Sequence, residues 1–311
     1  MTVLAWVFAV VGLAGLAFGA DWLVEGASGL ARRFRVSPLV IGLAVVAYGT
    51  SGPEIAASFV ASLRDSPGLA VGNVIGSNAA NLGLALGVTA LIRPFAVSRG
   101  LLRREFLLML AVTFLLWPLA ASGSVPRMVG AAFLVGLGLF TVWSIRASRR
   151  ANRDLPEADG EDVPRLGRSA AITGLGLLVV LVGADLLVRG GTDIARELGV
   201  SDTTIGFTLV ALGTSLPELA TSFAAARRGE IEMVAGNVIG SNLFNVLGAM
   251  GLAAVAAPLT LDPSLLRAEV PGVLVLTVFT GVLLAAGKRL SRTGGALLLA
   301  AYAGYAAFVV L

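Results

Sequence analysis

The sequence predicts an all-α polytopic membrane protein with ten transmembrane helices, arranged as two inverted-topology five-helix repeats. Three observations carry this prediction: an apolar composition, a duplicated block, and basic residues that collect in alternate loops. Of the 311 residues, 57% are hydrophobic and 14% are charged, and apolar runs of spanning length recur along the chain. In such a chain the net charge of +4 does not indicate nucleic-acid binding.

Apolar runs of about 20 residues define the predicted helices. Residues 1–20 lack a positively charged start, which predicts a retained first helix rather than a signal peptide. A polar segment at 147–167, rich in arginine and acidic residues, separates a first repeat (1–146) from a second (168–311). The approximate spans are 3–31, 38–63, 67–92, 100–121, 125–146, 168–197, 202–226, 231–257, 265–286 and 292–311.

An internal duplication covers the first three predicted helices of each repeat. Residues 19–94 and 183–258 align without a gap at an offset of 164, and about half of the pairs are identical. The densest matches lie in the regions 47–81 and 211–245, where GTSGPE aligns with GTSLPE and GNVIGSNAAN aligns with GNVIGSNLFN. Each copy therefore has a carboxylate, amides and hydroxyls within apolar sequence, and such groups in a membrane span indicate an ion pathway.

The distribution of basic residues predicts the orientation. Most of the 23 Lys and Arg residues fall in loops on one side, and the other side has only Arg64, Arg127, Arg189, Arg196 and Arg267. The positive-inside rule places the segment 147–167 in the cytoplasm and both termini outside a cell membrane. Because five helices is an odd number, the second repeat enters the membrane from the opposite side, which is typical of secondary transporters.

Two prolines predict breaks in the second helix of each repeat. Pro53 and Pro217 have no N–H and crowd the preceding turn, so the helix should break just before each of them. Main-chain oxygens near 47–50 and 211–214 should then be unpaired, which is tolerable at membrane depth only where they line a polar cavity or bind something. A cation would satisfy these oxygens.

Further oxygen donors lie on the helix faces beside the breaks, because residues four apart are neighbours on a helix. Two carboxylates with hydroxyl, amide and carbonyl oxygens suit hard cations such as Ca²⁺ or Na⁺, and Mg²⁺ fits less well. One Ca²⁺ would neutralise both glutamates, and several Na⁺ would do so in its absence. The candidate side chains are Thr50, Glu54, Ser58, Ser77 and Asn81 in the first repeat and Thr214, Glu218, Ser222, Ser241 and Asn245 in the second.

Several residues have two open interpretations. Glu54 and Glu218 have no basic residue nearby in their own helices, which favours ligands over ion-pair partners. Ser58 and Ser222 could bind an ion or bond back to their own helix. Asn73, Asn78, Asn237 and Asn242 could cap the breaks or bond between helices. For the glycines at 72, 76, 236 and 240 we expect close helix packing.

The first and sixth helices are long, about 29 residues, and contain many small residues. These small residues could smooth a sliding surface or serve static packing. They are Gly12, Gly15 and Gly19 in the first helix and Gly174, Gly176 and Gly183 in the sixth. The charged Asp21, Glu25, Asp185 and Arg189 near the ends of these helices are expected to be structural.

The paired motifs resemble the cation/calcium exchanger superfamily, in particular its prokaryotic Na⁺/Ca²⁺ exchangers. GTSxPE and GNVIGSNxxN match the two α-repeats of that family, and the ten-helix layout covers the whole chain. The resemblance implies that Glu54 and Glu218 bind Ca²⁺ with main-chain oxygens of Thr50 and Thr214. It also implies that the first and sixth helices slide across an eight-helix core, and that the Na⁺ sites use Ala47, Ser51, Ser77, Ala211, Ser215 and Ser241.

One position departs from part of that family. Where this chain has Asn245, some relatives have an aspartate associated with K⁺ co-transport or with a protonated site group. Asparagine in both copies argues against K⁺ dependence. The two carboxylates at the centre of the site are then those of Glu54 and Glu218.

The sequence therefore predicts a secondary-active antiporter that exports Ca²⁺ in exchange for Na⁺ by alternating access. We expect a monomer in the lipid bilayer, with no nucleic-acid partner, no cofactor and no enzymatic activity. The absence of cysteine and histidine argues against disulfides and soft-metal transport. The alternative is a Ca²⁺/H⁺ antiporter, because two glutamates could release Ca²⁺ on protonation. An ion channel and an intramembrane hydrolase fit the repeats and the oxygen-rich motifs less well.

Overall fold

A computed structural model describes residues 3–152, 165–200, 205, 211–286 and 289–310. Parts of the predicted linker 147–167 and of the predicted span 202–226 lie outside these residues. In chain order the main helices are α1 (Val3–Phe34), α2 (Pro38–Thr50), α3 (Gly52–Leu63), α4 (Pro67–Ile92), α5 (Leu102–Ser122), α6 (Arg127–Ala151), α7 (Leu166–Glu197), α8 (Leu216–Arg228), α9 (Ile231–Ala256), α10 (Pro263–Ala286) and α11 (Arg292–Val310).

The chain is a multi-pass helical membrane protein. Among the described residues, α1, α4, α5, α6, α7, α9 and α10 are long and apolar enough to cross a bilayer, and α2 with α3 adds an eighth span if this bent pair is counted as one. Ten spans in two inverted repeats stay a prediction. Helices α1 and α7, which correspond to the first and sixth predicted spans, have 32 residues each and are longer than the sequence predicts.

Apolar side chains cover the outer surface of the protein and polar motifs lie inside it, the reverse of the arrangement in a water-soluble protein. Val3, Leu69 and Met128 are more than seven-tenths exposed, as expected for side chains that face lipid. The most buried long helices are α4 and α9, in which 72% and 89% of the most apolar stretch is buried. These two helices carry the GNVIGSN motifs, so the polar motifs lie at the centre of the protein.

Glycines hold α1 and α7 together as an antiparallel pair. Gly12, Gly19 and Gly26 recur every seventh residue on α1 and lie against the backbone of α7. A Cβ added at Gly19 would lie 2.7 Å from the main-chain nitrogen of Val180, and one at Gly183 would lie 2.7 Å from that of Leu16. These glycines therefore serve static packing between the two long helices, one of the two roles that the sequence leaves open.

Ion pairs fix the polar ends of the long helices. In α7, Arg189 Nε lies 2.9 Å from Asp185 Oδ2, one helical turn away. Arg228 at the end of α8 reaches across to α1, where its Nε and Nη2 lie 3.4 Å from Asp21 Oδ1 and Glu25 Oε2. Both arrangements agree with the expected structural role of these charges.

Two short strand pairings connect equivalent loops of the two sequence copies. Strand β1 (Ser124–Val125) pairs antiparallel with β2 (Leu259–Thr260), and Phe95 forms an isolated bridge with Leu290. At the offset of 164, Phe95 corresponds to Leu259, and Leu290 corresponds to position 126, next to β1. The two pairings therefore join equivalent loops, each time from one copy to the other.

Left-handed backbone also recurs at equivalent positions. Asp65 has φ of 54° and its counterpart Gly229 has φ of 83°, each just after a helix. Gly229 ends α8, where Arg93 Nη1 donates to the carbonyls of Ala226 and Arg227 at 3.3 Å. Glycine accepts this conformation without steric cost.

Gly229→Ala is expected to lower the free energy of unfolding by about 1–2 kcal/mol, the usual cost of a left-handed non-glycine residue. The measurement is the Tm in detergent. Gly68→Ala is the matched control, because Gly68 lies in the first turn of α4 and no described atom lies within 4 Å of its added Cβ. Equal Tm values for the two variants would contradict the prediction.

Candidate ion-binding site

The predicted helix breaks are present in both repeats. Helix α2 ends at Thr50, α3 begins at Gly52, and their axes differ by 47°. In the second copy a short helical turn, Ala211–Gly213, is followed by Thr214, Ser215 and the start of α8. Each break lies directly before a proline, as the sequence predicts.

The expectation of an unpaired Ala47 carbonyl is wrong. Its oxygen accepts the N–H of Ser51 at 2.9 Å and the hydroxyl of Thr50 at 3.4 Å. Pro53 removes the donor that would reach Gly49, four residues earlier, and leaves the bond to Ala47 intact. In the second copy the N–H of Ser215 donates to Leu212 at 3.1 Å.

Both glutamates are fully inside the protein. Glu54 lies in the first turn of α3 and is 1% exposed, and Glu218 lies in the first turn of α8 and is 0% exposed. The first turn of a helix has unpaired N–H groups and a partial positive charge, which stabilise a nearby carboxylate. Even with this stabilisation, the desolvation free energy of two buried carboxylates is large unless a positive charge lies beside them.

Each carboxylate is held by a serine of the other repeat. Ser51 Oγ donates to Glu218 Oε1 at 2.9 Å, and Ser215 Oγ donates to Glu54 Oε1 at 3.4 Å. Ser241 Oγ lies 3.5 Å from the same oxygen of Glu218. This reciprocal exchange brings the two helix breaks and both glutamates to one place. The convergence is the one that the sequence predicts, but the crossed pairing of serines and glutamates was not predicted.

Several buried oxygens around the glutamates have no hydrogen-bond partner in the described part of the chain. An unsatisfied buried acceptor costs about 1–3 kcal/mol, more for a charged one. A cation would satisfy a group of acceptors at once. The unpartnered atoms among the predicted site residues are Glu54 Oε2, Glu218 Oε2, Thr214 Oγ1, Ser77 Oγ, Asn81 Oδ1 and Asn245 Oδ1.

The donor set is entirely oxygen. No group of three or more Asp, Glu, His or Cys side chains that could hold a metal is found among the described residues. The site therefore has two carboxylates and otherwise neutral oxygens. Hard cations such as Ca²⁺ and Na⁺ prefer such ligands.

The asparagines bond between helices, one of the two roles left open for them. Asn245 Nδ2 donates to Asn78 Oδ1 at 3.0 Å, and Asn81 Nδ2 donates to Asn242 Oδ1 at 3.4 Å, so α4 and α9 are joined across the repeats. π-helical turns begin at Asn81 in α4 and just before Asn245 in α9. Such wide turns are frequent at functional sites.

Ser58 does not bond back to its own helix. Its Oγ donates to the carbonyl of Ala70 in α4 at 3.2 Å and accepts from Asn73 of the same helix. The equivalent Ser222 accepts from Asn237 in α9. Both serines therefore connect the helix that carries the glutamate to the next helix of the repeat.

The motif glycines in the second copy pack closely, as predicted. A Cβ at Gly240 would lie 2.7 Å from Ala47 Cβ, and one at Gly236 would overlap the carbonyl of Leu39. No described atom lies within 4 Å of an added Cβ at Gly72 or Gly76. The segment of the second copy that is equivalent to α2 lies largely outside the described residues.

A contact between α9 and α5 was also not predicted. Asn242 Nδ2 donates to Met109 Sδ at 3.4 Å, and Met109 is a buried residue of α5. A methionine within an apolar helix carries no sequence signal that distinguishes it from a packing residue.

Comparisons with known proteins identify the family of this chain. The chain matches the family model described as sodium/calcium exchanger protein over residues 4–146 and 168–311. The chain belongs to the sodium/calcium exchanger family. This exchanger is 39% identical to the putative antiporter CaxA of Alkalimonas amylolytica, over 97% of both chains. It is 30% identical to the sodium/calcium exchanger MaX1 of Methanosarcina acetivorans, over 95% of both chains.

The fold of the exchanger is also similar to a solved structure. The sodium-calcium exchanger NCX_Mj, soaked with 2.5 mM Na⁺ and 0.1 mM Ca²⁺, superposes with a TM-score of 0.85 at 35% identity, over 99% of each chain. The predicted family is therefore confirmed. The exchanger is a membrane transporter rather than an enzyme, and its family indicates no cofactor.

Proposed function

We propose that this exchanger is a secondary-active antiporter that exports Ca²⁺ in exchange for Na⁺ through a single cavity between its repeats. The observation that carries the proposal is the reciprocal pairing of Ser51 with Glu218 and of Ser215 with Glu54. This pairing places two buried carboxylates together, and each keeps a second oxygen free for an ion.

The donor chemistry supports these two ions. Ca²⁺ takes six to eight oxygen ligands in flexible geometry, and one Ca²⁺ neutralises both glutamates. Several Na⁺ at neighbouring hydroxyl, amide and carbonyl oxygens achieve the same neutrality. Glu54 and Glu218 bind Ca²⁺ with the main-chain oxygens of Thr50 and Thr214 in this proposal. The Na⁺ sites add Ala47, Ser51, Ser77, Asn81, Ala211, Ser215, Ser241 and Asn245.

Alternating access follows from two inverted five-helix repeats that exchange conformations. The exchanger then has ten spans, with residues 1–146 and 168–311 as the repeats and 147–167 as a cytoplasmic linker. Both termini lie outside the plasma membrane, and one chain suffices for transport. The pair α1 and α7, which is held together by its glycines, moves as one body across the other helices.

The export direction and the stoichiometry have an electrical consequence. If three Na⁺ enter for each Ca²⁺ that leaves, one net charge crosses the membrane in each cycle. Transport should then depend on the membrane potential as well as on the Na⁺ gradient.

The test is Ca²⁺ uptake into proteoliposomes loaded with Na⁺, with and without an outward Na⁺ gradient. We expect uptake that requires the gradient and that rises when valinomycin and K⁺ make the vesicle interior positive, because one net positive charge then leaves the vesicle in each cycle. Uptake driven by a pH gradient without Na⁺ would support a Ca²⁺/H⁺ antiporter instead. Uptake that is indifferent to clamped potential would exclude the three-to-one stoichiometry.

A further inference from the structure

Two asparagines outside the proposed ligand set make identical contacts in the two repeats. Asn73 Nδ2 donates to the main-chain oxygen of Glu54 at 3.0 Å and to Ser58 Oγ at 2.9 Å. Asn237 Nδ2 donates to the main-chain oxygen of Glu218 at 3.2 Å and to Ser222 Oγ at 3.0 Å. A side-chain amide has two N–H donors, so each amide group uses its full donor capacity on one neighbouring helix.

The contacts join the two helices of each repeat that carry the ion-binding oxygens. The acceptors of Asn73 lie one turn apart on α3, beginning at Glu54 itself. On its own helix, Asn73 lies one turn before Ser77 and two turns before Asn81, on the same face. The Asn73 amide therefore sets the distance between α3, which carries Glu54, and the ion-binding oxygens of Ser77 and Asn81 in α4. In the second repeat, Asn237 has the same relation to Ser241 and Asn245.

The serine acceptors of both connections are buried, and in the second repeat the asparagine is buried as well. Ser58 and Ser222 are 0% exposed, and Asn237 is 1% exposed. In the first repeat, Ser58 Oγ donates in turn to the carbonyl of Ala70, so Ser58 has hydrogen bonds to two residues of α4. A buried carbonyl or hydroxyl that loses such a donor is not readily resolvated, and the helices must shift to find another.

Helix spacing matters because the site binds hard cations. Selection between such ions depends on cavity size, ligand number and the flexibility of the site. Groups that hold the ligands without touching the metal typically contribute 10–100-fold to metal affinity.

We infer that Asn73 and Asn237 are positioning residues that fix the spacing of the ion-binding oxygens within each repeat and so determine which divalent cations the exchanger accepts. The inference rests on the proposed function, because it concerns the same cavity. Asn237 contributes more than Asn73, since it is fully buried and Asn73 is only half-buried.

The test compares Asn237→Ala and Asn73→Ala with the wild type. Thermal shifts of the detergent-solubilised protein give apparent affinities for Ca²⁺, Sr²⁺ and Mn²⁺, and uptake into Na⁺-loaded proteoliposomes gives KM and maximal rate for each ion. We expect the apparent Ca²⁺ affinity to fall about tenfold in Asn237→Ala, and less in Asn73→Ala. The preference for Ca²⁺ over the larger Sr²⁺ and the smaller Mn²⁺ should narrow in both.

The matched control is Asn152→Ala. The Asn152 amide also donates to a main-chain oxygen of another segment, that of Arg35 at 3.2 Å, but this bond is solvent-exposed and Asn152 is remote in sequence from the ion-binding motifs. We expect unchanged affinities for all three ions in this variant. A fall in ion-free Tm without any change in ion affinity or preference in Asn237→Ala and Asn73→Ala would assign them a purely structural role and overturn the inference.

Ser222→Ala keeps the inference testable if Asn237→Ala does not assemble. This variant retains the bond from Asn237 to Glu218 and removes the second acceptor, so a smaller change of the same sign is expected, and no change would count against the inference. The thermal-shift measurement needs no transport. Absence of Na⁺-driven uptake in the wild type would therefore count against the proposed function, while the ion affinities of the variants decide the positioning role.

Discussion

Glu54→Gln and Glu218→Gln are each expected to abolish Na⁺-driven Ca²⁺ uptake, with a reduction of at least about 100-fold. Glutamine has nearly the same shape and can still accept the hydroxyls of Ser215 and Ser51, so the helix breaks should persist. What is lost is one of the two buried negative charges that would neutralise Ca²⁺. Removing one partner of a buried ion pair, here the glutamate that would pair with Ca²⁺, costs about 3–5 kcal/mol. This free energy corresponds to a fall in Ca²⁺ affinity of about two to four orders of magnitude.

The measurement is the initial rate of Ca²⁺ uptake in proteoliposomes with matched protein content. Glu232→Gln provides the control, because Glu232 is an exposed residue in the first turn of α9, away from the paired carboxylates. It should transport at the wild-type rate. Retained uptake in either Glu54→Gln or Glu218→Gln would mean that the two-carboxylate site is not the transport site.

Gly176→Val is expected to have the second-largest effect. A Cβ at Gly176 would lie 2.8 Å from the Cα of Leu23 and 2.9 Å from the carbonyl oxygen of Gly19. Both are backbone atoms of α1 and cannot move aside as a flexible side chain would, so α1 and α7 must separate. Overpacking of this kind costs about 1–3 kcal/mol locally. We expect a large fall in Tm and loss of transport, because both long helices pack against α8, which carries Glu218.

Gly174→Val is the matched control for this substitution. Gly174 lies on the same helix two residues earlier, and no described atom lies within 4 Å of its added Cβ. Its Tm and its uptake should stay close to those of the wild type. If both valine variants behaved alike, the close approach of α1 and α7 would not be the cause of the defect.

The sequence predicted the central features of this exchanger because each leaves a local signature. Pro53 and Pro217 marked the helix breaks, since a missing N–H acts on its own helix. Glu54 and Glu218 stood out as carboxylates in apolar sequence, which membrane burial tolerates only for a function. The exact repeat offset then predicted that the two sites converge.

The roles of the glycines, serines and asparagines could not be predicted from local sequence signatures. Gly174 and Gly176 look alike in the sequence, yet only Gly176 meets another backbone. Ala47 was expected to have a free carbonyl and instead accepts two donors. Asn73 had two equally plausible roles, and its contact with Glu54 depends on how α3 lies against α4.

The sequence by itself determined the membrane class, the duplication, the helix breaks and the pair of buried glutamates, because composition, repetition and proline act locally along the chain. Only the tertiary structure decided that Ser51 bonds to the glutamate of the opposite repeat, that Asn73 and Asn237 join the donor helices, and that α1 packs on α7 through glycine. These are relations between helices distant in sequence, and their rotation and depth depend on the packing of the whole bundle.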